Sequence, residues 1–317
     1  IQLLPLLFPQ TKWYPMKYKI LVVDDDLEIL DILNKFLLSQ NYIVFTENNP
    51  ITALNVLNNQ SIDLVISDVS MPEMNGFELL HHIKSSYPST KRILLTSYDI
   101  RGYLTFARKY EMGNILTKTT PLNFGEMKIL IHNILTGNIF GLKKHINGKI
   151  CQKTFNRAQD IEPFIDDITS AFPTPEHQNI FRIALGEIAV NAFFYGALDE
   201  KGDQKRNWKI ESEVPKHLSI NLFWGLDDEK CGVSVVDYKG KLTKKEILFW
   251  LERNTMQNTD GSIPAHNDIH GKGIFLVREA IDRCIVNIQK DICTEIILLN
   301  YHEGLYGGFH PLWIQEI

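Results

Sequence analysis

Five polar residues in the first half of the 317-residue chain close short apolar runs: Asp24 and Asp25, Asp68, Thr96 and Lys118. Carboxylates brought together repel, so their joint ionisation calls for a cation; a hard divalent ion such as Mg²⁺, held by oxygen ligands and retained waters, suits them best. A second set lies in residues 181–196, FRIALGEIAVNAFFYG, where Glu187 and Asn191 interrupt an otherwise apolar run. On a helix a spacing of four leaves two side chains about 40° apart, one turn above the other. An acid and an amide on such a face need partners, because desolvating a carboxylate alone costs on the order of several kcal/mol. Taken alone, this helix suits either a satisfied core pair or a metal-and-base pair.

The elements that must position these groups follow from periodicity. Residues 18–23, 43–46, 61–67, 92–95 and 114–117 read as strands, separated by segments of helical spacing such as Leu27, Leu30, Leu33 and Leu37. That alternation implies an α/β, doubly wound parallel sheet with helices on both faces, and polar groups at its carboxyl edge converge on one crevice. A helix over 121–135 should close this unit. Residues 136–159 mix glycine, asparagine and basic residues and read as a linker able to contribute a strand.

The second half is patterned differently. Residues 160–172 read as an amphipathic helix, and Thr174-Pro175 is an N-cap with proline at the first helical position. Residues 217–223 alternate as a half-buried strand, and 232–236 return as a strand ending in Asp237-Tyr238-Lys239-Gly240. Thr243 and Glu246 form a capping box. Residues 255–270 are long, polar and irregular, in the manner of a lid, and run into Gly271-Lys272-Gly273 and a helix over 274–284. Glycines opening a helix leave backbone N–H groups and the positive end of the dipole for a phosphate. A hairpin over 285–289 and 293–299 completes an α+β two-layer unit.

Composition sets bounds. The length favours two domains, and 44% apolar with 22% charged residues is ordinary globular usage. A net charge of -5 gives no general attraction to nucleic acid or anionic membrane. The apolar start, 1–15, is too short to span a bilayer and lacks a basic stretch before it, so it reads as an extension ahead of Met16, and no other stretch reads as a span. Cys151, Cys231, Cys284 and Cys293 show no paired spacing and fit free thiols in a reducing cytosol better than disulfides or zinc. The histidines 81, 82, 266, 270, 302 and 310 come without a convincing set of further ligands.

Residues 17–137 resemble the receiver domain of bacterial response regulators, on KILVVDDD, LVISDVSMPEMNGFELL, ILLTS and ILTK. The resemblance implies that Asp68 is the phosphoacceptor. It further implies that Asp25 and Asp68 bind Mg²⁺ directly, Asp24 through water and Ser70 by its carbonyl, while Thr96 and Lys118 hold the phosphoryl oxygens. Two departures stand out: Thr119 and Thr120 separate Lys118 from Pro121, and Ile115 replaces the common aromatic switch residue. An upstream histidine kinase or other phosphodonor is the implied partner, and the helix 4, strand 5 and helix 5 surface over 100–135 the implied contact or homodimer face.

Residues 160–300 resemble the Bergerat-type ATPase fold of histidine kinases and gyrase, most closely the anti-sigma-factor serine kinase branch. The resemblance rests on the order Glu-x-x-x-Asn, strand-Asp-x-x-Gly, lid, Gly-x-Gly-helix, strand Thr. It implies ATP as cofactor, with Asn191 on the nucleotide Mg²⁺, Asp237 and Thr294 at adenine, Gly240 closing the adenine loop, and Gly271, Lys272 and Gly273 at the phosphates. Glu187 stands where that branch has its base, and Lys239 where a glycine is usual.

The expected organisation is thus an extension (1–15), a receiver (16–137), a linker (138–159), the ATPase-like unit (160–300) and a tail (301–317) packing on its own domain. The expected function is a cytoplasmic response regulator controlling a serine/threonine kinase that acts on an anti-anti-sigma (STAS-like) or sigma-factor-type partner, without membrane or direct DNA contact. The alternative is a non-catalytic, ATP-gated module that sequesters such a partner.

Overall fold

The computed structural model describes residues 17–200, 209–256, 272–302, 306 and 309–317. The expected extension, residues 257–271 of the lid and phosphate loop, Gly271, His266 and His270 lie outside the described residues.

In the first half the strands are β1 (Lys19–Val23), β2 (Ile43–Glu47), β3 (Leu64–Asp68), β4 (Lys91–Thr96) and β5 (Asn114–Thr117). They pair in parallel in the order β2-β1-β3-β4-β5. This is the flavodoxin-like, doubly wound arrangement. The connecting helices are α1 (Leu27–Ser39), α2 (Pro50–Asn59), α3 (Gly76–Ser86), α4 (Leu104–Lys109) and α5 (Phe124–Thr136). Asp26 caps α1 by accepting from the backbone N–H of Glu28 and Ile29, which sets the turn directly behind Asp24 and Asp25.

The second half is a mixed α/β region. β6 (Cys151–Phe155), β7 (Ile220–Leu226), β8 (Lys230–Asp237), β9 (Arg283–Gln289), β10 (Cys293–Tyr301) and β11 (Leu312–Glu316) are accompanied by α6 (Ile161–Thr169), α7 (Pro175–Asn191), α8 (Lys244–Thr255) and α9 (Gly273–Ala280). Residues 138–159 are therefore not a bare connector, since β6 pairs antiparallel with β7. The helix expected over 274–284 ends at Ala280, because Arg283 and Cys284 already belong to β9.

The C-terminal tail overturns a simple two-body picture. β11 pairs parallel with β9 on one side and antiparallel with β5 on the other, so both halves share one sheet of 11 strands among the described residues. Trp313 is 1% exposed there, and Gly113 admits β11 closely, since a Cβ at 113 would meet the Ile314 carbonyl at 2.5 Å. One apolar layer runs from under α2 to α4 through to α6, α7 and α9, and the opposite layer joins α1 and α5 to Leu142 and Ile146 of the connecting segment.

The tail thus does not pack on its own domain alone. Part of the 100–135 surface is covered within the chain: β11 takes the edge of β5, Arg283 Nε donates to Glu126 Oε1 at 2.5 Å, and Arg108 of α4 pairs with Glu252 of α8, while Phe106 and Phe124 stay exposed. One stretch, Pro175–Ala197, is long and apolar enough to cross a membrane by length and composition, contrary to the sequence expectation. In the structure its Phe181, Ala184, Leu185 and Ile188 are buried in the core.

Candidate functional site

Two clusters of chemistry-bearing residues form at opposite halves of the shared sheet. The first sits at the carboxyl ends of β1, β3, β4 and β5. Lys118, one residue past β5, places Nζ 2.8 Å from Asp24 Oδ2 and 2.6 Å from Asp68 Oδ1. The remaining Asp68 oxygen accepts from the Ser70 backbone N–H at 2.5 Å, and Asp24 Oδ1 accepts from the Asp26 N–H. Thr96 is fully buried, its hydroxyl accepts from the Tyr98 N–H, and its carbonyl accepts from the Lys118 N–H at 2.7 Å.

Burial pushes the Asp24 carboxyl above its ordinary range, and the Lys118 hydrogen bond and charge offset this only in part. For Lys118 burial acts downward, but Asp24 and Asp68 outweigh it and hold the ammonium above its ordinary value. Asp25 lies exposed at the rim with no hydrogen bond or ion pair among the described residues. An all-oxygen donor set of Asp24, Asp25, Asp68 and the Ser70 carbonyl, with one carboxylate unengaged at the mouth, fits Mg²⁺. The cis peptide is at Thr120-Pro121, and Ile115 is fully buried, paired with Leu312 of β11.

Two contributors to this pocket escape sequence reasoning. A Cβ at Gly76 would lie 2.0 Å from the Asp68 carbonyl oxygen, so only glycine lets α3 start against the strand end. The Tyr103 hydroxyl is 3.4 Å from Ser70 Oγ; no spacing pattern singles that tyrosine out.

The second cluster is built on α7. Asn191 Nδ2 donates to Glu187 Oε1 at 2.9 Å, so the two share one face as their spacing requires. A Cβ on Gly273 would lie 1.8 Å from Glu187 Oε1, which means that the first residue of α9 lies against this carboxylate. After Asn191 the helix widens to a π turn over Ala192–Ala197, bringing Gly196 against Asp237: a Cβ there would meet Asp237 Oδ2 at 3.2 Å. Within the same turn the Tyr195 phenol is held up by burial and then by the charges of Glu187 and Glu200.

Asp237 closes β8 with Oδ1 accepting from the N–H groups of Lys239 and Gly240 at 3.0 and 3.1 Å. Burial raises its carboxyl, and those N–H groups offset the shift only in part. Gly240, at φ +57, lies so close to the β9–β10 turn that a Cβ would meet the Gln289 carbonyl at 2.4 Å. Thr294 faces Asp237 in register, with a buried hydroxyl lacking a well-aligned partner among the described residues. Lys239 Nζ reaches Asp199 at 3.8 Å.

The structure therefore brings Glu187, Asn191 and Gly273 together, and Asp237, Gly240 and Thr294 together, joined by the π turn. Lys272 is the N-cap residue before α9, and its own side chain makes no cap hydrogen bond to the helix. A buried carboxylate with the Thr294 hydroxyl beside it, a helix start opening on glycine and glycines where a Cβ would collide are features that fit a nucleotide.

Comparison with known proteins bears on the first cluster. Residues 20–129 match the family model described as response regulator receiver domain. The chain is 31% identical over 125 residues to the probable transcriptional regulator ycf29 of Pyropia yezoensis, covering 39% of this chain and 56% of that protein. It is 40% identical over 99 residues to the transcriptional regulatory protein GlrR of Escherichia coli (strain K12), covering 31% and 22%. With the two-component response regulator ARR10 of Arabidopsis thaliana it shares 34% over 124 residues, 38% of this chain and 22% of that one. The chain thus spans between 22% and 56% of the length of these relatives. Among solved structures it is similar to a signal receiver domain of an HD domain-containing protein from Pseudomonas fluorescens Pf-5. That similarity has 32% identity and TM-score 0.36, and covers 38% of this chain and 96% of that one. Residues 20–129 are a response regulator receiver domain of two-component signalling.

Proposed function

We propose that phosphorylation of Asp68 by an upstream histidine kinase controls an ATP-dependent serine/threonine protein kinase in the C-terminal half, with an anti-anti-sigma (STAS-like) protein as substrate. The observation that carries this reading is the Glu187–Asn191 hydrogen bond on one face of α7, with Gly273 against the same carboxylate. Phosphoryl transfer asks for positioning and charge neutralisation more than covalent help from the protein. When bound, Mg²⁺–ATP would supply its γ-phosphoryl group, the bond to the β-phosphate oxygen breaking as the bond from the hydroxyl oxygen to phosphorus forms, with ADP leaving. Asn191, whose amide nitrogen is committed to Glu187, keeps its carbonyl oxygen for the metal. The Glu187 carboxylate accepts the proton of the attacking hydroxyl, Asp237 with Thr294 holds the adenine edge, and Lys272 with Gly273 faces the phosphates.

The joints between the halves supply a physical route for control. Glu279 on α9 lies 3.5 Å from Arg101, in the 3₁₀ turn Ile100–Tyr103 that follows Thr96 and carries Tyr103 beside Ser70. A new charge at Asp68 acts on Lys118 and Thr96, and this turn connects them to the helix whose first residue touches Glu187.

The test is incubation of the full chain with labelled ATP and a STAS-like partner, with and without beryllofluoride. Phosphoserine or phosphothreonine on the partner, lost in Glu187→Ala, is the expected result. The ion pair of Lys239 with Asp199 beside the adenine loop favours a second reading, an ATP-gated capture module. ATP-dependent capture that survives Glu187→Ala, without phosphate on the partner, would select it.

A further inference from the structure

At the other end of α7, far from Glu187, three side chains that no sequence pattern links converge. His177 lies in the first turn of α7, Cys231 near the start of β8, and His302 just after β10. One ligand atom from each lies within 4.8 Å of the other two. Ten residues of helix separate His177 from Glu187, about 15 Å at the helical rise, and six residues of β8 separate Cys231 from Asp237, about 20 Å. The cluster is therefore distinct from the nucleotide-type site.

The hydrogen bonds around the two imidazoles set which nitrogen is left for a ligand. His177 Nδ1 is 2.5 Å from Thr174 Oγ1, the N-cap hydroxyl of α7, while His177 Nε2 is buried without a partner in a residue only 8% exposed. His302 Nε2 is 3.2 Å from the Asp227 carbonyl oxygen, and a carbonyl only accepts, so that nitrogen carries the proton and Nδ1 keeps its lone pair. Both rings thus have their outward nitrogen tied to oxygen, the arrangement that orients and polarises an imidazole for a metal. The rings stand 5.2 Å apart at 77°, edge to face and not stacked, which leaves room for both to reach one ion. Cys231 is fully buried, held by pairing with Asn300 and Leu226 on its two sides, and is not part of a disulfide.

We propose that His177, Cys231 and His302 bind one zinc ion, with a fourth position left for water or an exogenous ligand. Two imidazoles and a thiolate are the donor types zinc prefers, and they disfavour the hard ions that suit the acid pocket. A tetrahedron built on ordinary Zn–N and Zn–S lengths has N···N and N···S edges of roughly 3.4–3.6 Å, so binding draws the three atoms inward by about 1 Å from their present limit. On binding, the Cys231 thiol gives its proton to solvent and the Sγ–Zn bond forms; nothing is oxidised or reduced. The ion would clamp the start of α7 to β8 and to the end of β10, where Tyr301, the neighbour of His302, donates its hydroxyl to Glu126 of the receiver at 3.0 Å.

The experiment uses the full chain, stripped with a chelator and titrated with Zn²⁺ against a chromophoric competitor, and separately with Co²⁺ as an optical reporter. One equivalent of tight binding is expected, with a thiolate-to-cobalt charge-transfer band. Cys231→Ser should abolish that band, and His177→Gln and His302→Gln should each weaken Zn²⁺ binding at least about tenfold. If Cys231→Ser does not fold, His302→Gln, at a half-buried strand end, carries the test. Absence of stoichiometric binding, cobalt bound without the thiolate band, or affinity unchanged in His302→Gln would each overturn the proposal; the last would assign the ion to residues elsewhere, such as His266 and His270.

Discussion

The acid pocket of the receiver and the Glu187 site of the C-terminal half are both lined by carboxylates, yet they are held together by different forces. In the pocket Lys118 touches two carboxylates directly, and each partner is nearly out of solvent. The Glu187 site is built in another way. Its carboxylates lean on backbone N–H groups, an amide and glycine Cα atoms. The first is closed electrostatically and its chemistry is set before any phosphoryl group arrives. The second is assembled by close backbone approach, with glycines where any side chain would collide.

The largest expected effect isolates the pocket. Asp68→Asn should abolish phosphorylation of the chain by a small-molecule phosphodonor, read as the loss of an alkali- and hydroxylamine-labile phosphoryl group, while leaving nucleotide binding in the other half intact. Phosphorylation persisting in this variant would remove Asp68 from its role. Glu187→Gln is the mirror-image change: partner phosphorylation should fall by about 10²–10⁴-fold, the range for losing a general base, with ATP affinity unchanged. A parallel loss of affinity would instead make Glu187 part of the binding surface.

A third change strikes the joint between the regions. The Arg283–Glu126 pair is buried on both sides, and Tyr301 also donates to the same Glu126 oxygen. Arg283→Ala should destabilise the chain by about 3–5 kcal/mol, because it strands a buried carboxylate. Denaturant unfolding in which the two halves melt separately would show that this pair couples them; an unchanged single transition would deny it.

Asp237 sharpens the contrast through pH. Its folded value is raised above the ordinary 3.8, so the neutral form is the one the fold favours. The stability it contributes is full below that ordinary value and is lost as pH rises through the raised one. Asp237→Asn should therefore flatten the decline of stability from acid to neutral pH, with melting at neutral pH no lower than in the parent, and yet lose nucleotide binding. A variant less stable at neutral pH would contradict the sign. The smallest effect is expected at Arg101, whose pair with Glu279 is half-exposed. Arg101→Ala should cost at most about 1 kcal/mol of stability, but it should weaken the response of partner phosphorylation to beryllofluoride.

Much of the pocket was legible because its residues end strands, and the alternation of strands and helices dictates that those ends share an edge. Asp24, Asp68, Thr96 and Lys118 could be placed from that rule alone. Spacing also put Glu187 beside Asn191. Gly76, Tyr103 and Gly196 were not legible, since each acts through a neighbour distant in the chain. The three proposed zinc ligands were missed for the same reason: 54 and 71 residues separate them, and only the register of β8 with β10 and the seat of α7 on that sheet bring them together.

By itself the sequence determined local periodicity, caps and strand ends, because those depend on residues within a few turns of one another. It thereby specified the receiver pocket and the order of elements in the second half. Only the tertiary structure decided that residues 312–316 form a strand between β5 and β9, that the free edge of β5 is taken inside the chain, and that α9 begins against Glu187. Those outcomes depend on which edges and faces remain unpaired once every other element has packed. That is a property of the whole chain, and no window of the sequence carries it.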